Sequence, residues 1–301
     1  MGNTRVPKYP MTDSHDRSAP AAGIYSWSLP GADGQTIIGD THIPDGESAG
    51  VLIVCHGFKG YKDYGFFPYL AQRAAGSGLI THRFNFSHSG MTNDVDTFAR
   101  PDLFELDTWG KQMHDLQAVA GAVCDGSLAG AGLPVTWFGH SRGGVTLTLT
   151  AGELCARGDT LAPDRIAPVA APYTCCHLPD EFIALLREQG YLESPSSRTG
   201  QMLRIGLPWL DEIESDPKRF DPLRAIRHVT CPMLIVHGTN DATVSVESAQ
   251  LLARAAGDHA DLQIIDGASH TFNCPNPLEE SAAPPAETVR MVEMVCAFAR
   301  E

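Results

Sequence analysis

The chain has 301 residues, 43% of them hydrophobic and 19% charged, which is ordinary for a globular protein and excludes disorder throughout. Its 36 acidic and 22 basic residues give a formal net charge of −14, and no cluster of Lys and Arg exceeds a pair. Because a nucleic-acid-binding face needs such a cluster, a nucleic-acid partner is not expected. The length suits one large domain with insertions or two small domains.

Signals for cofactors and targeting are sparse. The 8 cysteines show no C-x-x-C spacing, so the sequence predicts neither a zinc site nor a redox-active cysteine pair. We therefore expect no metal or organic cofactor. Several cysteines lie in apolar runs, which is typical of free thiols in a reducing cytoplasm. No segment approaches the ~18 apolar residues of a membrane span, so no membrane association is expected. Residues 1–21 combine Pro, Ser and charge without an apolar segment, which predicts a flexible N-terminal arm rather than a secretory signal.

The amino-terminal half of the chain predicts a hairpin followed by alternating strands and helices. "GIYSWSLP" and "QTIIGDTHIP", separated by "GADG", form the hairpin at a sheet edge. "VLIVCHG" (51–57) and "LITHRFNF" (79–86) are strands. Between them, "YGFFPYLAQRAAGSG" predicts a helix that Asp63 can cap and Gly76 can stop. Residues 94–107 indicate an irregular loop, and a helix follows over 108–124.

The carboxyl-terminal half continues this alternation. "PVTWFGHS" predicts a strand, and "GGVTLTLTAGELCARG" predicts the helix after it. Further strands are expected over 166–172, 233–238 and 262–267, and a last helix over 287–300. Strands that alternate with helices imply an α/β fold with a mostly parallel, doubly wound sheet covered on both faces.

One segment, residues 174–222, breaks the strand-helix rhythm. It contains the helix pattern "DEFIALLREQG", a possible hairpin and "LPWLDEIESDPKRFDP", which together predict a small cap inserted into the domain formed by residues 22–301. The large apolar residues of this cap either line a pocket or form the cap's own core, and we favour the core: they are Phe182, Leu186, Tyr191, Leu203 and Trp209.

Two segments match the pattern G-x-S-x-G, which can hold a catalytic serine at a sharp turn. A catalytic version needs a strand before the serine and a helix after it. "GESAG" (46–50) precedes the strand "VLIVC" and has no helix after it, so it indicates a polar loop. "GHSRGG" (139–144) follows the strand "PVTWF" and precedes a helix, which makes Ser141 the candidate nucleophile.

A serine needs a base, and the base needs an acid that orients it. Asp241 in "MLIVHGTND" and His270 in "LQIIDGASHTF" each follow a predicted strand. Because reactive groups gather at the carboxyl ends of strands in a doubly wound sheet, Asp241 and His270 are the candidate acid and base. Taken alone, Asp241 is equally a turn aspartate and His270 a loop histidine, but the order Ser141, Asp241, His270 is the one this architecture uses.

An acyl-transfer site also needs two backbone donors for the developing oxyanion. The residue after the nucleophile supplies one of them, the N–H of Arg142. The second is expected from Phe58 in the loop "HGFKGYKDYG", whose glycines Gly57 and Gly60 allow N–H groups to point inward. The alternative for this loop is a simple strand-to-helix turn.

These motifs, together with "RFNFSHSG", resemble the α/β-hydrolase superfamily over about residues 22–300. Within it, "HGFKGYKDYGFFP" is similar to a bacterial branch of feruloyl/cinnamoyl-esterase-like and dienelactone-hydrolase-like serine esterases. The resemblance implies an α/β-hydrolase fold and a carboxylesterase-like enzyme that acts on a small-molecule ester. Two departures stand out: dienelactone hydrolases have a cysteine where Ser141 stands, and "HGFKG" replaces the lipase motif "HGGG".

Three other functions share these features. A serine peptidase or amidase of the same fold uses the same triad, although such peptidases often carry a larger extra domain. A non-catalytic ligand-binding protein on a hydrolase scaffold usually lacks a triad member, whereas all three are present here. A cofactor-free perhydrolase or haloperoxidase also shares the triad. The sequence leaves the oligomeric state open.

Overall fold

The computed structural model describes Lys8 and residues 21–301. The predicted flexible arm, residues 1–21, therefore lies outside the described residues except at Lys8 and Ala21. Within the described residues, the strands are β1 (Gly23–Pro30), β2 (Thr36–Ile43), β3 (Gly50–Cys55), β4 (Leu79–Asn85), β5 (Val135–His140), β6 (Arg165–Val169), β7 (Tyr191–Pro195), β8 (Met202–Gly206), β9 (Met233–Gly238) and β10 (Ala260–Ile265). The α-helices in the same part of the chain are α1 (Phe67–Gly76), α2 (Pro101–Glu105), α3 (Trp109–Cys124), α4 (Arg142–Arg157), α5 (Asp180–Gln189), α6 (Leu207–Ser215), α7 (Pro222–Ala225), α8 (Glu247–Ala256) and α9 (Ala286–Phe298).

Eight strands form one mixed sheet in the order β1-β2-β4-β3-β5-β6-β9-β10. β1 pairs with β2 and β2 with β4 in antiparallel fashion, whereas the other pairs are parallel. The predicted parallel sheet with an antiparallel N-terminal edge is therefore confirmed. The register aligns the strand ends: Cys55 pairs with Gly139, His140 with Val169, and the last residue of β9 with the last of β10. The loops after β3, β5, β9 and β10 consequently leave the sheet at one edge.

Side chains on the central strands alternate between two cores. On β3, Ile53 points to a core formed with α3, α4 and α8, and Leu52 and Val54 point to a second core formed with α1 and α9. On β5, Trp137 joins the first core and Phe138 the second. Because both faces of the sheet are covered by helices, these strands carry buried apolar side chains on both faces rather than polar ones at every second position.

Two local predictions were wrong. Asp63 does not cap the helix after β3, because its carboxylate pairs with Lys62 and Arg83 while the helix begins at Phe67 without a side-chain cap. The stretch 94–107 is not wholly irregular, because it contains α2, which begins with a proline pre-set for a first helical turn. The other predicted elements lie within a few residues of their observed bounds.

The segment 174–222, called the cap segment below, contains α5, the antiparallel pair β7–β8 and α6. Leu186, Leu192 and Trp209 of this segment pack with Val145 and Leu149 of α4 in a common apolar cluster. The cap segment is therefore fixed to the helix that follows Ser141. In the described part of the chain, the helices are too short or too polar to cross a bilayer.

Candidate active site

Ser141 lies at the junction of β5 and α4, and its backbone has a conformation that non-glycine residues rarely adopt. Its φ is 54° and its ψ −121°, and its N–H donates to the carbonyl of Val169 on the neighbouring strand at 2.8 Å. Such a backbone is strained in a non-glycine residue and persists only where its surroundings enforce it. The serine is thereby held at a sharp strand-to-helix turn.

The glycines around Ser141 are required by close backbone contacts. A Cβ at Gly139 would lie 2.4 Å from the carbonyl oxygen of Gly143, and a Cβ at Gly143 would lie 2.4 Å from that of Cys55. The second pattern match, Gly46–Gly50, lies in the connection between β2 and β3 up to Gly50, the first residue of β3, so the prediction of a loop at Ser48 is confirmed. The G-x-S-x-G pattern at Ser141 is therefore a packing requirement of this turn.

Asp241 and His270 come together from neighbouring strand ends. His270 Nδ1 lies 2.8 Å from Asp241 Oδ2. Because the carboxylate only accepts, Nδ1 carries the proton and Nε2 is left as an acceptor. The other carboxylate oxygen accepts the backbone N–H groups of Thr243 and Val244, each at 2.8 Å. Three hydrogen-bond donors thus converge on a carboxylate that is closed to solvent, and a second histidine lies beside it.

That second histidine is His237, a residue that sequence reasoning did not single out. It is fully buried at the end of β9, with Nε2 3.2 Å from Asp241 Oδ2 and 2.9 Å from the carbonyl of Val244. Burial acts to raise the pKa of Asp241, but the hydrogen bonds from His237 and His270 outweigh it and hold that pKa well below its usual range. The sequence signal that could have pointed to His237 is its position as the polar residue of the otherwise apolar strand β9.

A third histidine, His140, supports the loop that carries His270. Its Nε2 lies 2.8 Å from the carbonyl oxygen of His270, and the two ring centroids are 4.8 Å apart. Burial lowers the pKa of His140 to about 3, so its imidazole is neutral and Nε2–H is the donor. His140 therefore fixes the position of the His270 backbone.

The loop after β3 passes directly beside Ser141. A Cβ at Gly57 would lie 3.1 Å from the Cβ of Ser141, and Gly60 N–H donates to the carbonyl of Gly57 at 3.0 Å, which closes a turn. His56 steadies this turn: its Nδ1 donates to the Gly57 carbonyl at 2.8 Å, and its Nε2 accepts from the N–H of Phe86. Burial lowers the pKa of His56 to about 4, so it is neutral in this role.

The two predicted oxyanion donors belong to Phe58, which follows Gly57, and to Arg142, which follows Ser141. Among the residues that the structure describes, neither the N–H of Phe58 nor that of Arg142 has an acceptor. Phe58 follows Gly57 in the turn, and Arg142 is the first residue of α4, where N–H groups have no partner within the helix. Both groups are thus free to donate to a bound molecule.

The side chains of these two residues also meet, which sequence reasoning did not predict. The guanidinium of Arg142 lies 4.5 Å from the ring centroid of Trp109 and 5.7 Å from that of Phe58. Its Nη2 is 3.1 Å from Asp107 Oδ2, and both side chains are about nine-tenths buried. Burial raises the pKa of Asp107 to about 6 against the opposing charge of Arg142. No local sequence pattern predicts this role of Asp107, because the residue lies in the loop between α2 and α3 and contacts Arg142 only in the folded protein.

Comparison with known proteins identifies the family of this chain. Residues 52–289 match the model of the alpha/beta hydrolase family. The chain belongs to this family. The predicted α/β-hydrolase fold and the resemblance on which it rested are thereby confirmed.

Relatives of this alpha/beta hydrolase are esterases and lipases. A monoacylglycerol lipase of Mycolicibacterium smegmatis is 26% identical over 272 residues, covering 82% of this chain and 91% of the lipase. Est1E from Butyrivibrio proteoclasticus, solved with bound ferulic acid, aligns with a TM-score of 0.64 at 18% identity, over 89% of this chain and 96% of Est1E. An esterase domain from Rhodothermus marinus aligns with a TM-score of 0.62 at 20% identity, over 92% of this chain and 98% of that domain. These similarities support ester hydrolysis by an enzyme of this family.

A cavity of about 180 Å³ in this hydrolase is lined by both Ser141 and His270. The turn after β3, residues 57–60, supplies one wall, and the β7–β8 turn of the cap segment, residues 195–198, supplies another. The large apolar cap residues do not line it: Leu186 and Trp209 pack against α3 and α4, Leu203 packs beside Phe98, and Phe182 is 46% exposed. Within the described residues, no group of three or more His, Cys, Asp or Glu is arranged to hold a metal ion.

Proposed function

We propose that this protein is a serine hydrolase that cleaves carboxylic esters through Ser141, His270 and Asp241. The observation that carries the proposal is the 2.8 Å contact between His270 and Asp241 in a site whose cavity also exposes the strained Ser141. A serine in such a turn, a histidine with a free Nε2 and a buried carboxylate are the components that acyl transfer to serine requires.

The proposed reaction has two steps. His270 Nε2 accepts the proton of Ser141 Oγ as the oxygen attacks the ester carbonyl, and Asp241 stabilises the imidazolium that forms. The N–H groups of Phe58 and Arg142 donate to the oxyanion. Collapse of this intermediate expels the alcohol, which takes the proton from His270, and leaves an acyl-enzyme. His270 then accepts a proton from water as its oxygen attacks the acyl carbonyl, and collapse of this second intermediate releases the acid while Ser141 Oγ takes the proton back from His270.

The substrate is proposed to be a small-molecule ester bound in the cavity beneath the β7–β8 turn. Similarity to a monoacylglycerol lipase and to an esterase solved with ferulic acid supports this class of substrate. We also propose a cytoplasmic location, which the free state of all 8 cysteines supports. Fractionation of the source cells tests that location.

Labelling with a fluorophosphonate probe tests the nucleophile. Wild-type protein should label at one serine and hydrolyse p-nitrophenyl acetate, whereas Ser141→Ala should do neither. Ser48→Ala is the matched control, because Ser48 occupies the second G-x-S-x-G pattern in an exposed connection, and it should label like the wild type. Equal labelling of Ser141→Ala and wild type would contradict the assignment, and faster turnover of peptide anilides than of esters would favour an amidase.

A further inference from the structure

The charges that face the candidate site are unlike those of the whole chain. The protein carries a formal net charge of −14. The cavity beside Ser141 and His270, however, is lined by two cationic residues, Lys59 and Arg198, and by no Asp or Glu. An acidic protein that collects cations at its substrate cavity has a local potential opposite to that of its surface.

Neither cation has a carboxylate partner. Lys59 Nζ donates to the carbonyl of Pro195 at 2.7 Å, and Arg198 Nη1 donates to the carbonyl of Val95. No Asp or Glu of the described residues lies within salt-bridge distance of either side chain. These carbonyls fix the side chains in place, but a neutral acceptor does not cancel a full positive charge.

Other cations close to the site differ in this respect. Lys62 pairs with Asp40 at 2.6 Å, and Arg83 pairs with the same carboxylate at 3.2 Å. Arg142 pairs with Asp107 at 3.1 Å. The buried cations that support the framework are therefore matched by carboxylates, whereas the two that face the cavity are not. Partial burial lowers the pKa of Lys59, as expected of an ammonium that has lost water without gaining an anion.

The orientation of Arg198 is fixed by more than its carbonyl partner. Its guanidinium lies 4.7 Å from the ring centroid of Tyr61 and 5.1 Å from that of Phe98, and its Nη2 donates to Met91 Sδ at 3.4 Å. A stacked guanidinium presents its N–H donors in a fixed plane, which suits recognition of a carboxylate. Lys59 belongs to the turn after β3 and reaches the β7–β8 turn, where its Nζ contacts Pro195.

We propose that the substrate is an ester that carries a carboxylate, and that Lys59 and Arg198 bind this second, non-reacting carboxylate while Ser141 attacks the ester carbonyl. The inference rests on the proposed function, because it assigns the part of the substrate that does not react. A half-ester of a dicarboxylic acid is the simplest member of this class. A charge-assisted hydrogen bond of this kind contributes selectivity of about tenfold or more.

The test compares two chromogenic esters of equal chain length. Mono-4-nitrophenyl adipate carries a terminal carboxylate and 4-nitrophenyl hexanoate does not, and uncatalysed rates are subtracted from both. The selectivity, defined as kcat/KM for the adipate divided by that for the hexanoate, should be about ten or more for the wild type at low salt. It should fall in 0.5 M NaCl, because salt screens the attraction.

Substitution separates recognition from folding. Arg198→Gln and Lys59→Gln should each lower the selectivity about tenfold, and Arg198→Lys should retain part of it because it keeps the charge. Since selectivity is a ratio, a general loss of activity cancels. Arg204→Gln is the matched control: Arg204 lies on β8 but stacks on Tyr191 outside the cavity, so its selectivity should equal that of the wild type.

The outcomes distinguish this inference from the proposal on which it rests. If the wild type labels with fluorophosphonate at Ser141 but prefers the hexanoate, carboxylate recognition is wrong and the serine hydrolase stands. If Arg198→Gln and Lys59→Gln keep the selectivity of the wild type, the assignment of these two residues is wrong. If the wild type neither labels nor hydrolyses either ester, both proposals are overturned.

Discussion

Replacing Asp241 by Asn probes how the proposed acid controls His270. In the structure, Asp241 Oδ1 accepts two backbone N–H groups and Oδ2 accepts from His270 Nδ1. An asparagine keeps the size of the side chain but replaces one acceptor by an NH₂ donor. Its carbonyl oxygen must stay on the side of the two backbone donors, because an NH₂ there would face two N–H groups.

The NH₂ group of Asp241→Asn therefore faces His270 Nδ1. That nitrogen must become an acceptor, so the imidazole proton moves to Nε2, the atom that has to take the Ser141 proton. A base held in the wrong tautomer cannot act, and loss of the orienting acid typically lowers kcat by about 10⁴. This corresponds to about 5 kcal/mol in the activation barrier. KM should change little, since Asp241 does not line the substrate cavity.

Steady-state hydrolysis of p-nitrophenyl acetate and the rate of fluorophosphonate labelling measure this effect. Asp266→Asn is the matched control, because Asp266 follows β10 at the same edge of the sheet, is exposed and accepts from Thr239 rather than from a histidine. The control should keep wild-type kcat. An Asp241→Asn variant that folds and retains more than a tenth of wild-type kcat would refute the role assigned to Asp241.

Two further predictions concern the framework of the site. Gly143→Ala places a Cβ 2.4 Å from the carbonyl oxygen of Cys55, so it should displace the turn after β3, cost about 1–3 kcal/mol in unfolding free energy and lower kcat. Gly121→Ala, in open space on α3, should reduce neither stability nor kcat. Normal kcat in Gly143→Ala would contradict the packing argument. Burial lowers the pKa of His56 and His82 to about 4 and that of His140 to about 3. Below about pH 6.5 the unfolded chain binds protons that these folded histidines cannot. The stability present above that pH should therefore fall as pH drops towards 4, by about 2 kcal/mol per histidine at pH 5, and a urea midpoint equal at pH 8 and pH 5 would be inconsistent with this.

Much of the candidate site could be predicted because each residue follows a strand signal. Ser141, Asp241 and His270 follow apolar strands within five residues, and the carboxyl ends of parallel strands meet at one edge. Strand periodicity and chain order were therefore enough to expect them together. The turn after β3 could be predicted for the same reason, from its glycines.

Residues that support the site from other elements could not be predicted. Asp107 reaches Arg142 from the loop between α2 and α3, and its position depends on how α3 packs beside α4. Asp63 was expected to cap a helix, because its local sequence context suits a cap. Instead, its carboxylate pairs with Arg83 of β4 and with the adjacent Lys62. Long-range electrostatics outweighed a local preference at this position.

Local patterns in this chain define what each segment forms and in which order the strand-end residues occur. Those patterns depend on neighbours within a few residues, so the sequence alone carries the alternation of strands and helices and the turn at Ser141. Which residues line the cavity depends on tertiary packing. Its lining brings together Lys59 of the turn after β3 and Arg198 of the cap segment, which are 139 positions apart in the sequence. Burial and charge across such separations depend on the folded arrangement, which no local pattern encodes.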